Sequence, residues 1–98
     1  MNRIQLLLLK LCEECNEVAQ MASKSSQFGL DEVCPKLGIS NQARLHQELN
    51  DLNAIVEMLN DEAGLGYRLD RKEINAKKDK VNKYARYAQL LGNVEQQQ

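Results

Sequence analysis

The sequence has no tryptophan, a single proline and only four aromatic side chains in 98 residues. That composition is too lean for a β-sandwich, whereas a hydrophobic content of 43% is sufficient for packed helices. A chain of this length forms one small domain, without room for a second core. Because a small domain buries a modest fraction of its surface, such a chain gains stability by pairing with a second copy.

Long hydrophobic runs are also missing, so no membrane span is predicted. The run Leu6–Leu9 is broken by Lys10 and no small-residue cleavage site follows it, which argues against a signal peptide. The cysteines at 12, 15 and 34 are odd in number and fit a reducing cytoplasm. Cys12 and Cys15 form a CxxC, but no second pair or nearby histidine completes a zinc site. We therefore expect a cytoplasmic protein without a membrane partner.

Charge of one sign is not in excess, since the net charge is −1. It is unevenly placed, however: residues 1–67 carry five Lys/Arg against ten Asp/Glu, and residues 68–91 carry eight against three. The two parts either neutralise each other across a helix interface or build a site for a cation and a polyphosphate. The basic segment lacks the aromatic interleaving of a nucleic-acid surface, so no nucleic-acid partner is expected.

Hydrophobic residues spaced by three and four predict a helix over residues 2–25 and another over residues 41–62. Ser40 or Asn41 is expected as the N-cap of the second helix, and Gly64-Leu65-Gly66 ends it. The first predicted stripe is Ile4, Leu8, Leu11, Cys15, Val18 and Ala22, and the second is Leu45, Leu49, Leu52, Val56 and Leu59.

Turn-forming residues at 23–39 predict a long structured loop, and Asp70 with Glu73 predicts a capping box that opens a third helix. This helix is expected to reach Leu91 and to stop at Gly92. The predicted fold is all-α: a bundle of three long helices plus the loop in a domain over 1–92, with a frayed polar tail at 93–98. Apolar side chains outside the first stripe (Leu6, Leu7 and Leu9) indicate that a second copy of the chain completes the bundle by dimerisation.

The third helix carries an anomaly in its apolar stripe, where a lysine occupies one position and a second lysine lies beside it. Lysine is rarely buried unless an anionic group meets it, although its stem can also extend past an apolar edge into solvent. Both interpretations stay open. The stripe consists of Ile74, Lys77, Val81, Tyr84, Ala88 and Leu91, and the neighbouring residue is Lys78.

Acidic residues cluster on the first two predicted helices. Glu13, Glu14 and Glu17 fall within a sector of about 100°, and Glu48 and Asp51 lie one turn apart. Both clusters flank the stripe of their helix, so packing the stripes together brings the carboxylates face to face. Such groups raise one another's pKa values, and a hard divalent cation relieves the repulsion. The alternative is an ordinary solvated acidic face.

Histidine is nearly absent, which narrows the choice of metal. Di-iron sites in helical bundles use Glu-x-x-His pairs, whereas the single histidine, His46, lies about 160° around the helix from Glu48. Oxygen ligands alone favour Mg²⁺, with Mn²⁺ as a possible substitute.

The segments Glu13-Glu14-Cys15-Asn16-Glu17 and Glu48-Leu49-Asn50-Asp51 resemble the EExxE…ExxD signature of the MazG-like nucleoside triphosphate pyrophosphohydrolases. The likeness covers about residues 6–92, and the chain is similar to short, stand-alone members. It extends through Val18-Ala19-Gln20, Phe28 to Val33, Arg44-Leu45 and Lys77 to Val81. The chain departs from the pattern in a long gap of thirty residues between the two halves.

This resemblance implies hydrolysis of a nucleoside triphosphate between the α and β phosphates, by a magnesium-dependent homodimer or higher oligomer. The implied metal ligands are Glu14, Glu17, Glu48 and Asp51, with Glu13 as an outer residue or general base. Residues expected to contact the substrate are Lys77, Lys78 and Lys80 at the departing pyrophosphate, and Lys24 and Phe28 elsewhere. The competing hypothesis is a non-catalytic, dimeric helical interaction module with an acidic, cation-binding face.

Overall fold

The computed structural model describes residues 1–95 and contains three α-helices: α1 (Arg3–Phe28), α2 (Asn41–Ala63) and α3 (Arg71–Leu90). Within the described residues there is no β-strand, only an isolated bridge between Val33 and Ser40. The all-α class and the three helices predicted from the sequence are therefore confirmed. The chain divides into two units, Met1–Tyr67 and a second that begins at Arg68. None of the helices within residues 1–95 is both long enough and apolar enough to cross a membrane.

The first helix is longer than its sequence indicates. It begins at a reciprocal capping box between Asn2 and Gln5. At the other end, the serine-rich stretch is helical as far as Phe28, three residues beyond the predicted end at residue 25, so the loop prediction is wrong there. Ser25 Oγ donates to the Met21 carbonyl at 2.8 Å, one turn back, which lets a serine stay inside a helix. Gly29, with φ of 96°, is where the helix ends.

Residues 29–40 form a structured loop, as predicted, and it is attached to the start of α2. The Asn41 and Gln42 amides donate to the carbonyls of Glu32 and Leu30, at 2.9 and 3.0 Å. The side chain of Asn41 is buried and donates to the Gly29 carbonyl at 2.9 Å. Ser40 is the N-cap, so one of the two predicted candidates caps the helix while the other fixes the loop.

Helices α1 and α2 pack against each other, and two contacts show that they run antiparallel. Arg3 near the start of α1 pairs with Glu62 near the end of α2, with Nε–Oε1 at 2.8 Å. Asn41 at the start of α2 bonds to Gly29 after the end of α1. We call the unit Met1–Tyr67 the helical hairpin.

The packed face of each helix differs from the stripe predicted from the sequence. On α1, Leu7 and Met21 are buried, whereas Leu8 is 47% exposed and Cys15 and Ala22 are exposed. On α2, Leu59 is buried as expected, but Leu49 is 40% exposed. The true face of α1 is rotated by roughly 60° from the predicted one at 100° per residue. The seam positions follow the alternating spacing of a coiled coil: Ile4, Leu7, Leu11, Glu14, Val18, Met21 and Ser25 on α1, and Asn41, Leu45, Glu48, Leu52, Ile55 and Leu59 on α2.

The third helix begins and ends where its sequence predicts, with one of the two hydrogen bonds of the predicted capping box at its start. The Asp70 carboxylate accepts from the Glu73 amide at 3.1 Å. At the C-terminal end, Gly92 (φ 79°) and Asn93 donate to the carbonyls of Gln89 and Ala88, which is a Schellman motif. At the start of the predicted polar tail, Gln89 Nε2 donates to the Glu95 carbonyl; residues 96–98 of that tail lie outside the described residues.

The apolar stripe predicted for α3 is present but is not buried. Val81, Tyr84 and Leu91 expose 53%, 65% and 58% of their surface, and α3 has no buried residue. Lys77 and Lys78 are exposed as well. Of the two interpretations left open for Lys77, exposure to solvent is therefore the one that agrees with the side chain as the structure describes it.

Candidate metal centre

Three carboxylates of the hairpin converge at the α1–α2 seam. Glu14, Glu48 and Asp51 each offer an oxygen atom, and these oxygens all lie within 4.8 Å of one another. Glu14 and Glu48 occupy seam positions where a coiled coil usually places an apolar side chain, and Asp51 follows Glu48 by one turn at the edge of the seam. Helix packing thus brings together acids that are 34 or more residues apart in the sequence.

The cluster is partly shielded and open on one side. Glu14 and Glu48 are half-buried between the helices, whereas Asp51 is exposed. A half-buried carboxylate loses part of its hydration energy. A nearby positive charge must compensate for this if the carboxylate is to stay ionised. The open side at Asp51 leaves access for solvent and small ions.

The electrostatics of the cluster appear most clearly at Glu48, whose pKa is raised above its ordinary value. Burial is the main cause, followed by the negative charges of Glu17, Asp51 and Glu14. Arg44, one turn before Glu48 on α2, acts in the opposite direction but does not cancel them. The seam therefore holds an excess of negative charge that its own cation does not neutralise.

These donors fit a hard divalent cation. All three converging groups are carboxylates, no histidine or cysteine belongs to the cluster, and His46 is exposed on α2. Mg²⁺ and Mn²⁺ prefer oxygen ligands, and Mg²⁺ is held by one or two carboxylates together with waters and substrate phosphates. A partly open group of three carboxylates matches that pattern.

Two further acids predicted from the sequence lie around this group. Glu17 is exposed and does not belong to the three whose oxygens approach within 4.8 Å, but its charge is the first of those that raise the Glu48 pKa. Glu13 is exposed and pairs with Lys10, with Nζ–Oε2 at 3.0 Å. Only Glu17 is close enough to influence Glu48, because its position on the helical wheel is roughly 40° nearer the seam than that of Glu13.

The predicted substrate contacts lie on exposed surface. Lys24 and Phe28 are in the last two turns of α1, and the Phe28 ring is 60% exposed. Lys77, Lys78 and Lys80 lie on α3, and all three are exposed. The structure thus gathers three of the four predicted ligands at one point, with the fourth at the edge of the seam.

Residues that the sequence did not single out also shape the hairpin. Arg44 is the cation that lowers the pKa of Glu48. The one-turn spacing between Arg44 and Glu48 could have indicated this pairing from the sequence. Asn41 was considered only as a cap. The pKa of the Cys34 thiol is lowered, mainly by the backbone amides of Leu37 and Lys36 next to it. No simple sequence pattern indicates that last arrangement, which depends on the fold of the loop.

Comparison of the chain with protein-family models, with curated proteins and with solved structures gave no match. The carboxylate cluster and the motif that carries it are therefore the features of this chain that indicate a function.

Proposed function

We propose that this protein is a magnesium-dependent hydrolase that converts (deoxy)nucleoside triphosphates to monophosphate and pyrophosphate. The observation that carries the proposal is the convergence of Glu14, Glu48 and Asp51 at a half-buried seam with uncompensated negative charge. The resemblance of the same residues to the MazG-like signature supports the reaction type. A cytoplasmic homodimer or higher oligomer active in nucleotide-pool housekeeping is part of the proposal.

In this proposal, Glu14, Glu48 and Asp51 hold the cation, and Glu17 completes the set from the edge of the seam. When bound, Mg²⁺ would polarise the phosphoryl group and lower the pKa of a water molecule. Glu13 acts from outside the cluster as a general base or as a residue that orients water. Its surface pair with Lys10 is of a kind that contributes little energy and exchanges readily.

The cationic and aromatic residues act on the substrate. Lys77, Lys78 and Lys80 neutralise charge on the departing pyrophosphate, since fixed cations stabilise charge that develops in the transition state. Lys24 contacts the triphosphate, and the exposed ring of Phe28 offers a stacking surface for the base. Mn²⁺ is expected to substitute for Mg²⁺.

A nucleotide panel with separate detection of pyrophosphate and orthophosphate tests the reaction. We expect pyrophosphate release that requires Mg²⁺ and is reduced by at least about 100-fold in Glu48→Gln and Asp51→Asn, because even outer partners of metal sites contribute 10–100-fold. Glu57→Gln and Asp61→Asn are matched controls, since both are exposed acids on α2 outside the cluster. Release of orthophosphate alone, or equal activity in all four variants, would contradict the proposal.

The second candidate is a non-catalytic, dimeric helical interaction module with an acidic, cation-binding face. The exposed apolar side chains of α3 favour it, because such surfaces mark protein contacts. It predicts a Mg²⁺-dependent rise in melting temperature without turnover of any nucleotide, whereas the hydrolase shows both.

A further inference from the structure

The edge of the α1–α2 seam that holds Asp51 is lined mainly by charged residues. Six residues form it, each one position before a seam residue: Lys10, Glu17 and Lys24 on α1, and Arg44, Asp51 and Met58 on α2. Positions of this kind flank the packed face of a coiled coil, and their side chains meet across the seam. Which charges face each other depends on the register of the two helices.

The register of the hairpin follows from contacts already described. These are the ion pair between the first turn of α1 and the last turn of α2, and the carboxylate cluster farther along the seam. With this register, Glu17 lies opposite Asp51 to within one turn. Lys24 lies opposite Arg44 in the same way, about 10 Å nearer the loop along the seam.

This arrangement places like charges together and unlike charges apart. Facing charges of opposite sign stabilise a pair of helices, whereas neighbouring charges of the same sign repel each other. Two acids nevertheless face each other beside the candidate metal centre, and two cations face each other nearer the loop. The hairpin gains no stability from this order. A ligand that carries a divalent cation and an anionic group side by side would compensate both pairs.

The two cations have no protein partner that compensates their charge. Within residues 1–95, neither Lys24 nor Arg44 forms an ion pair or donates a side-chain hydrogen bond, although Arg44 is half-buried. Glu32, an acid of the adjoining loop, instead accepts from Asn41 Nδ2 at 3.4 Å. A half-buried guanidinium without a partner has lost hydration that the oxygens of an anionic ligand can replace.

Both cations also act on the same point of the hairpin. The pKa of the half-buried Cys34 thiol is lowered mainly by the backbone amides of Leu37 and Lys36, and further by the positive charges of Arg44 and Lys24. The two cationic side chains therefore lie near each other where the loop meets the seam. This part of the edge is electropositive, and it adjoins the electronegative metal centre.

We propose that Lys24 and Arg44 form a subsite for the terminal phosphates of a polyphosphate whose metal ion is held by the carboxylate cluster of the same hairpin. Arginine binds phosphate oxygens in a bidentate manner, and lysine adds a point charge on a flexible stem. The two long side chains and the phosphate chain itself bridge the ~10 Å between the cations and the acids. Identification of the ligand as a nucleoside triphosphate rests on the proposed function, whereas the subsite needs only Mg²⁺ and a polyphosphate.

Calorimetric titration with inorganic pyrophosphate at saturating Mg²⁺ tests the subsite without an activity assay. We expect Arg44→Gln and Lys24→Gln each to raise the Kd for pyrophosphate by about 10-fold or more, the scale of one lost hydrogen bond to a charged group. Lys10→Gln is the matched control, because Lys10 lies on the same edge but toward the other end of the hairpin, where it pairs with Glu13. Its Kd should stay within about two-fold of wild type.

The affinity for Mg²⁺ without pyrophosphate separates a phosphate subsite from a structural role. Arg44→Gln should bind Mg²⁺ as tightly as wild type or more tightly, because it removes a positive charge one turn from Glu48. A fall in both Mg²⁺ affinity and melting temperature in Arg44→Gln and Lys24→Gln would show that these cations support the fold, and would overturn the proposal. Wild-type protein that does not bind pyrophosphate, or an equal rise in Kd in Lys10→Gln, would also overturn it.

A nucleotide hydrolysis assay on the same proteins separates the subsite from the proposed function. Wild-type protein that binds pyrophosphate through Arg44 but hydrolyses no nucleotide would keep the subsite and remove the hydrolase. Hydrolysis by wild type, with unchanged pyrophosphate binding in Arg44→Gln and Lys24→Gln, would keep the hydrolase and remove the subsite.

Discussion

The helical hairpin and α3 differ in how much of their apolar surface is buried. The hairpin contains all four buried side chains of the described chain (Leu7, Met21, Asn41 and Leu59), together with a loop fixed by backbone hydrogen bonds. Helix α3 has well-formed caps but buries nothing. Local signals are thus sufficient to form a helix in both regions, but only the hairpin shows what its apolar face contacts. The following experiments test this contrast, from the largest expected effect to the smallest.

The largest effect is expected from the seam of the hairpin. Leu7→Ala removes a side chain that is 2% exposed, and should lower the free energy of unfolding by about 3 kcal/mol. Leu8→Ala is the matched control, because Leu8 is 47% exposed and the same truncation should cost about 1 kcal/mol or less. Chemical denaturation measures both. Equal losses that are independent of protein concentration would place Leu8 in the seam and contradict the packing.

The ends of the helices were predictable because each is fixed by one or two neighbouring residues. Ser40, Gly64, Asp70 and Gly92 act where their chemistry indicates. The end of α1 was not predictable in this way. Its serines favour a turn when considered singly, but a hydrogen bond such as Ser25 to Met21 satisfies the hydroxyl inside the helix.

The position of the seam was misjudged because the candidate site itself occupies it. Both Leu8–Cys15–Ala22 and Leu7–Glu14–Met21 have helical spacing, and a hydrophobicity criterion selects the set without the glutamate. The same preference selects Leu49 over Glu48 on α2. Functional residues placed in a packed face therefore shift the apparent stripe away from the real one. The grouping of Glu14, Glu48 and Asp51 survived this error because the acids flank the predicted stripes on the side toward which the real packed faces are rotated.

The second effect concerns the lysines of α3. We expect Lys77→Met to slow turnover by about 100-fold, the scale of removing one electrostatic contact in the transition state, while the melting temperature is kept or raised. Lys72→Met is the control, since Lys72 is an exposed lysine on the side of α3 away from the apolar stripe. Steady-state kinetics and thermal melts on both variants measure the difference. A kcat for Lys77→Met within a few-fold of wild type would remove Lys77 from the site.

The third effect tests whether the loop belongs to the ordered hairpin. Asn41→Ala removes a buried side chain that donates to the Gly29 carbonyl, and should destabilise the protein by about 1–3 kcal/mol. Amide exchange should also accelerate at Cys34 and Gln42, whose amides hold the loop. Asn53→Ala is the control, because Asn53 makes a similar side-chain bond, to the Leu49 carbonyl, on the exposed surface. Identical amide exchange in the two variants would show that the Asn41 side chain does not hold the loop.

The smallest effect is the pH dependence of the metal-free hairpin. The pKa of Glu48 is raised in the folded state, mainly by burial and then by the charges of Glu17, Asp51 and Glu14. The folded protein therefore binds a proton more tightly than the unfolded chain does. The resulting stabilisation is complete below the ordinary pKa of glutamate and is lost as pH rises through the raised value.

We accordingly expect the melting temperature of metal-free wild-type protein to fall as pH rises from the ordinary glutamate pKa to neutrality. Glu48→Gln should flatten this fall and melt at a higher temperature near pH 7, because a neutral amide replaces the repelled carboxylate. Saturating Mg²⁺ should reverse the order, since a bound cation stabilises only the chain that retains Glu48. Glu57→Gln, a neutralised exposed acid outside the cluster, should follow wild type in both conditions. If melting temperature against pH is the same for Glu48→Gln and wild type, with and without Mg²⁺, the acids at the seam are ordinary surface charges. The hairpin would then differ from α3 in packing alone and not in carrying a metal site.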